Sequence, residues 1–82
     1  MPMPKINPKY NPQLIKLGLN VAYHRKLAGL TQEDLAAMTE LSRNAISRLE
    51  NPDLFYGASL NTLFKLADAL NIQVKELFDF RD

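Results

Sequence analysis

The sequence has no cysteine and no tryptophan, only three glycines, and no apolar run near the length of a membrane span. Without cysteine there is no disulfide, no thiolate metal site and no cysteine nucleophile. A membrane helix needs about 20 consecutive apolar residues, and the N-terminus also lacks the apolar stretch of a signal peptide. These absences predict a soluble, cytoplasmic protein without membrane contacts, stabilised by packing or by oligomerisation.

The side chains from which active sites are built are also scarce. The chain has one histidine, no glycine-rich phosphate-binding loop and no HExxH motif, which leaves little for a catalytic or metal site. Its nine acidic residues are scattered along the chain. We therefore predict that the protein is not an enzyme and binds no metal and no cofactor.

Charge is unevenly distributed along the 82 residues, although the formal net charge is only +1. Residues 1–30 carry five basic and no acidic side chains, whereas residues 31–82 carry five basic and nine acidic ones. A chain of this length and 46% hydrophobic content suits one small domain. If this domain binds a polyanion, it does so through a localised surface and partly through its N-terminal third.

Apolar residues recur at helical spacing, and no long stretch alternates with the period of a strand, so we predict an all-α fold. The capping and stop signals predict five helices, at about residues 12–28, 31–39, 42–50, 60–70 and 74–78. Four of the five prolines lie in the first 12 residues, which favours an extended arm. The predicted organisation is an arm at 1–12, a domain at 13–79 and a tail at 80–82.

The spacing of apolar residues also predicts which side chains face the core. For the first, second and fourth helices we expect inner faces that include Leu14, Leu17, Val21, Ala28, Leu35, Ala36, Met38, Leu60, Leu63, Phe64, Ala67 and Leu70. His24 falls on the inner face of the first helix and is expected to be buried, neutral and hydrogen-bonded, with a pH-sensing role as the alternative. A second stripe on that helix, Ile15, Leu19 and Tyr23, is covered either by the arm or by a partner protein.

The segment SRNAISRLEN, residues 42–51, has one apolar and one polar face. Ala45, Ile46 and Leu49 fall on one arc of a helical wheel; the opposite arc carries Arg43, Asn44, Ser47 and Arg48. An ordinary solvated helix face is one interpretation, but such faces usually pair Lys with Glu, and this arc has no acid. Arginine can fork onto guanine, asparagine onto adenine, and serine can bond to a base or a phosphate. A capped helix, a short turn and a second helix with this face are typical of a helix-turn-helix.

The stretch LTQEDLAAMTELSRNAISRLEN resembles the helix-turn-helix of the phage-repressor/Cro-type family of bacterial regulators, the xenobiotic-response-element (XRE) family. The similarity continues in LGLNVAYHRKLAGLTQ and SLNTLFKLADALNIQVKELF, and covers about residues 14–78. It implies a five-helix, lambda-repressor-like DNA-binding domain. The implied function is a sequence-specific regulator of transcription that binds double-stranded DNA, as a homodimeric repressor on a palindromic operator. An antitoxin that binds a toxin protein and represses its own operon is the alternative.

Residue roles follow from the same resemblance. It implies DNA contacts from Gln32, Ser42, Arg43, Asn44, Ser47 and Arg48, and an internal salt bridge between Arg25 and Glu50. Three features depart from the family pattern, and the first is His24, which stands where the family usually has an apolar residue. Glu40 stands where the family usually has glycine, which predicts a non-glycine residue with positive φ. The loop at 51–58 has no cation, although many relatives place one there.

The dimer interface is not determined by the sequence. We expect contacts from Leu77, Phe78 and Phe80, because apolar residues continue almost to the C-terminus. The loop Leu54–Tyr56 is the alternative interface.

Overall fold

The computed structural model describes residues 11–55 and 57–80. These residues form five helices and no strand, which confirms the all-α prediction. The helices are α1 (Pro12–Leu27), α2 (Gln32–Thr39), α3 (Arg43–Glu50), α4 (Leu60–Leu70) and α5 (Val74–Leu77). The predicted arm at 1–12 lies outside the described residues except for its last two, and Pro12 is already helical. None of the five helices is long and apolar enough to cross a membrane.

The first four helices each begin after a residue whose side chain caps the helix. The side chains of Asn11, Thr31, Ser42 and Ser59 each accept a hydrogen bond from a backbone N–H in the turn that follows, at 2.9–3.1 Å. Thr31 also donates its own N–H to the Asp34 carboxylate at 2.9 Å, which completes a capping box. The backbone N–H of Thr31, and then its side chain, lower the pKa of Asp34 below its usual value.

Helix ends also follow the predicted signals. Gly29 after α1, Glu40 after α2 and Asn71 after α4 have φ of 75°, 60° and 56°, so all three are left-handed. Asn51, the residue before Pro52, is extended and ends α3. Glu40 has the positive φ that was predicted for it, because it stands where the family usually has glycine. This left-handed backbone costs about 1 kcal/mol.

Thirteen buried hydrophobic residues form the core among the described residues, with Val21, Leu35, Ile46, Leu66 and Leu77 fully buried. The predicted inward positions on α4 are wrong for Leu60 and Phe64, which are 71% and 52% exposed. On that helix Leu63, Leu66, Ala67 and Leu70 already form a complete i, i+3, i+4, i+7 stripe. Leu60 and Phe64 therefore fall on its flank.

Two other inward predictions are also wrong. Met38 on α2 is 53% exposed, and Thr39 is buried instead. The Thr39 hydroxyl donates to the carbonyl oxygen of Leu35 at 2.7 Å, so its polar atom is satisfied without leaving the core. Ala28, the residue that follows α1, is exposed.

His24 is buried, as predicted from its position on the inner face of α1. Its Nε2 atom, however, makes no hydrogen bond within the part of the chain that the structure describes. The expectation of a hydrogen-bonded ring is therefore wrong at this atom. The Tyr23 ring meets the His24 ring edge-on, with centroids 5.2 Å apart.

Helix α1 contacts both α5 and α3. Its Asn20 side chain donates to the carbonyl oxygens of Glu76 and Leu77 at 2.9 and 2.7 Å, which fastens α5. Gly18 lies directly under the Leu49 carbonyl at the end of α3, and a Cβ on Gly18 would overlap that oxygen. The missing side chain thus lets α1 approach the backbone of α3.

Candidate nucleic-acid interface

Helices α2 and α3 form a compact helix-turn-helix. Three residues, 40–42, join them, and the turn is closed by the Leu41 N–H donating to the Ala36 carbonyl at 3.1 Å. Leu35 of α2 and Ile46 of α3 are fully buried, and Ala36 is 6% exposed. Ala36 is therefore buried, as predicted from its place on the inner face of α2.

The outward face of α3 carries the polar residues that the wheel predicts. Arg43, Asn44 and Arg48 are exposed and Ser47 is half-buried, while Ile46 and Leu49 hold the opposite face in the core. The helix has eight residues and is about 12 Å long. An α-helix with its side chains is about 10–12 Å across, which fits a major groove about 12 Å wide. Nothing in the described chain covers this face.

Ser42, at the start of α3, caps this helix and also has a hydroxyl hydrogen that can donate to a phosphate. Its Oγ accepts the Ala45 N–H at 3.0 Å, which uses one lone pair for the cap. The hydroxyl hydrogen is still available, since accepting a bond does not consume a donor. An exposed donor at a helix N-terminus suits a phosphate oxygen, because the first-turn N–H groups and the helix dipole also favour an anion there.

A buried ion pair fixes the other end of α3. Glu50 accepts from Arg25 Nε at 2.7 Å and from Arg25 Nη2 at 2.9 Å, and the third nitrogen, Nη1, donates to the Leu30 carbonyl at 2.7 Å. The two side chains are only 10% and 6% exposed. The hydrogen bonds to Glu50 raise the pKa of Arg25 above its usual value. This is the pairing that the resemblance implies.

Gln32 joins the same network from the first turn of α2. Its Nε2 donates to Glu50 Oε1 at 3.0 Å. Because an ionised carboxylate only accepts hydrogen bonds, it fixes which end of the amide faces α3. The half-buried Gln32 side chain therefore braces α3, and the second hydrogen on Nε2 is its remaining side-chain donor. Its predicted phosphate contact stays a prediction.

Charge around the interface is mixed. Residues 31–51 carry four acids, Glu33, Asp34, Glu40 and Glu50, but only Arg43 and Arg48 as bases. Glu50 is neutralised by Arg25, and Glu33 lies beside Arg43, with Oε1 3.9 Å from Nε. Glu33 and Gly18 also shape this site, although neither was predicted as a site residue. A glycine inside a helix was the available signal for Gly18.

Comparison with known proteins decides the family. A family model described as Helix-turn-helix matches residues 21–77, which is more than half of the chain. The chain belongs to the helix-turn-helix family. This confirms the XRE-type resemblance, and the matched residues extend from the middle of α1 to the end of α5.

Two relatives place this helix-turn-helix protein among DNA-binding transcriptional regulators. It is 37% identical over 60 residues to an uncharacterised HTH-type transcriptional regulator of Methanocaldococcus jannaschii, covering 73% of this chain and 88% of the relative. It is also similar to the restriction-modification controller protein C.AhdI from Aeromonas hydrophila, with 35% identity and a TM-score of 0.76. That match covers 83% of this chain and 100% of the controller protein.

A third match supports the fold alone. The hypothetical transcription factor NHTF from Neisseria is 24% identical, with a TM-score of 0.75 over 98% of this chain and 87% of its own. The TM-score shows that the two chains share a fold.

The candidate dimer contacts are only partly available on the surface. Leu77 is fully buried within its own chain, so the prediction that it contacts a second copy is wrong. Its side chain fills the core beneath α5. Phe78 is 48% exposed and Phe80 is half-buried, with ring centroids 6.4 Å apart. These two rings still offer an apolar surface.

Proposed function

We propose that this regulator reads DNA sequence directly, with α3 in the major groove, and acts as a homodimeric repressor on a palindromic operator. One observation carries the proposal. The side chains of Arg43, Asn44 and Arg48 stand in solvent on a helix whose opposite face is fixed in the core. Such a helix presents its hydrogen-bonding groups in a fixed arrangement before DNA arrives.

The chemistry of the three side chains supports base reading rather than simple charge attraction. Two arginine forks match guanine O6 and N7, and the asparagine amide matches adenine N6 and N7. Lysine, which acts as a point charge toward phosphate, is absent from residues 31–51. With few cations on the helix-turn-helix, base contacts must supply much of the selectivity.

A second copy is proposed because one α3 reads too little DNA. A helix about 12 Å long spans roughly four base pairs at 3.4 Å each. A symmetric pair of recognition helices about 34 Å apart would read two half-sites one helical turn apart. The Phe78 ring, exposed on the C-terminal side of α5, supports an interface there. Repression then requires only that the dimer occupy DNA that other proteins need.

The test is selection of bound sequences from a random double-stranded pool at two salt concentrations. We expect two inverted half-sites whose centres are 10–10.5 base pairs apart or a multiple of this. Arg43→Ala and Asn44→Ala should each relax the preference at one base position, by about 1–3 kcal/mol. Lys65→Ala, at an exposed position of α4, is the matched control and should leave every position unchanged.

Two results would contradict the proposal. Equal weakening by Arg43→Ala on selected and random DNA would show that this side chain does not read a base. A selected motif without inverted symmetry, unchanged by Phe78→Asp, would reject the homodimer and its interface.

A further inference from the structure

The pair formed by Glu33 and Arg43 connects the first turns of the two motif helices. Glu33 is the second residue of α2 and Arg43 is the first residue of α3. Glu33 Oε1 lies 3.9 Å from Arg43 Nε, and the two side chains are 69% and 61% exposed. An acid so close to a base-reading arginine is unexpected on a surface that meets a polyanion.

The side of the guanidinium that faces the acid is informative. Glu33 approaches the Nε edge of Arg43. The terminal nitrogens, Nη1 and Nη2, form the end of the planar fork, and that end matches O6 and N7 of guanine. A carboxylate on the Nε edge thus leaves the base-reading end free while limiting the directions in which the side chain can point.

Water weakens this pair in the free protein but less so in a complex. Exposed ion pairs gain little, because the dielectric constant is high and two long side chains must be held still. When a groove covers the pair, water is excluded and the same attraction becomes stronger. The benefit of Glu33 would therefore appear in the DNA complex rather than in the stability of the free chain.

Glu33 also carries a charge that repels phosphates. Placed on the first turn of α2, this charge weakens binding to every sequence to a similar extent, so by itself it lowers affinity without changing the preference among sequences. Any effect of Glu33 on selectivity must therefore come from the orientation of the arginine.

We propose that Glu33 is a positioning residue that sets base specificity by orienting the Arg43 guanidinium. This inference rests on the proposed function, since it requires that Arg43 read a base. Glu33 makes no direct contact with the base in this arrangement.

The experiment measures affinities of the full chain for three duplexes. They are the selected operator, the same operator with the Arg43-dependent base pair changed, and a random sequence. In Glu33→Gln, discrimination at that base pair should fall by roughly 5-fold or more, a part of what a forked arginine contact provides. Affinity for random DNA should rise, because a repelling charge is gone.

Two further variants separate contact from charge. Glu33→Asp keeps the charge but withdraws it by one methylene, so discrimination should fall while affinity for random DNA stays the same. Glu40→Gln removes an acid from the exposed turn of the same motif without reaching Arg43, and discrimination should stay at the wild-type level. In the Arg43→Ala background, Glu33→Gln should no longer change discrimination.

The outcomes distinguish the inference from the proposed function. If Glu33→Gln strengthens binding to all three duplexes equally, Glu33 is only a charge and the inference is overturned, while base reading by Arg43 stands. If Arg43→Ala leaves discrimination intact, both the inference and this part of the proposed function fail. Circular dichroism and urea unfolding of each variant establish that the fold is retained.

Discussion

Helix α3 carries an ion pair at each end, and the two pairs differ in the distance between their charged groups and in their exposure to solvent. At the C-terminal end, Glu50 and Arg25 lie 2.7 Å apart with side chains 6% and 10% exposed. At the N-terminal end, Arg43 and Glu33 lie 3.9 Å apart with side chains 61% and 69% exposed. The same pairing of glutamate with arginine thus occurs at a buried site and at an exposed one.

This difference separates stability from recognition. At the buried pair, Glu50 accepts three hydrogen bonds, two from Arg25 and one from Gln32. These bonds fix where α3 lies. The exposed pair contributes little to folding and lies on the face that is open to DNA. One end of the helix is held by the scaffold, and the other remains free to meet a ligand.

The largest expected effect comes from breaking the buried pair. Glu50→Ala leaves the Arg25 charge buried without a partner, which typically costs 3–5 kcal/mol in the free energy of unfolding. Small domains have total stabilities of roughly 0.05–0.15 kcal/mol per residue, so this variant approaches complete unfolding. Urea denaturation followed by circular dichroism measures the loss.

Its matched control is Glu33→Ala at the other end of α3. Because that acid is exposed, the free energy of unfolding should change by no more than about 0.5 kcal/mol. A similar loss in both variants would show that the two ends of the helix do not differ as described.

An intermediate effect is expected at Gly18, beneath the buried end of α3. Gly18→Ala places a methyl group on the Leu49 carbonyl, so the helices must separate. We expect a loss of about 1–3 kcal/mol, together with weaker operator binding because α3 shifts. Gly29→Ala, at a left-handed position with open space, should cost about 1 kcal/mol without affecting DNA binding. Equal operator affinity in the two variants would contradict the role of Gly18 in placing α3.

The smallest effect concerns the turn that leads to the exposed end. Glu40→Gly removes left-handed strain and should stabilise the fold by up to about 1 kcal/mol. Asn71→Gly is the comparison, and the gain there should be smaller because asparagine tolerates this conformation. Thermal unfolding compares the two, and a larger gain at Asn71 would contradict the account of strain at Glu40.

Local chemistry explains why much of the fold was predictable from sequence. Asn11, Thr31, Ser42 and Ser59 accept backbone hydrogen bonds wherever a helix begins, and that interaction needs no distant partner. The polar face of α3 could be predicted for a similar reason, since an eight-residue helix with two opposite faces buries only one of them.

Predictions failed where a neighbouring element decides burial. Leu60 and Phe64 are apolar at helical spacing, yet α4 is covered on the adjacent stripe instead. Leu77 was predicted to be an exposed apolar residue near the C-terminus. Instead, the Asn20 side chain of α1 donates to the Leu77 carbonyl oxygen, and the Leu77 side chain fills the core. Neither outcome can be predicted from the periodicity of one helix.

By itself, the sequence determined the helices, their caps and stops, and the residues of α3 that face solvent, because these depend on hydrogen bonds and periodicity within a few residues. Only the tertiary structure decided which apolar stripes are buried, how closely Gly18 lets α1 approach α3, and that Glu33 lies beside Arg43. Those features depend on distances between segments far apart in the chain. Packing sets such distances, and no local preference specifies them.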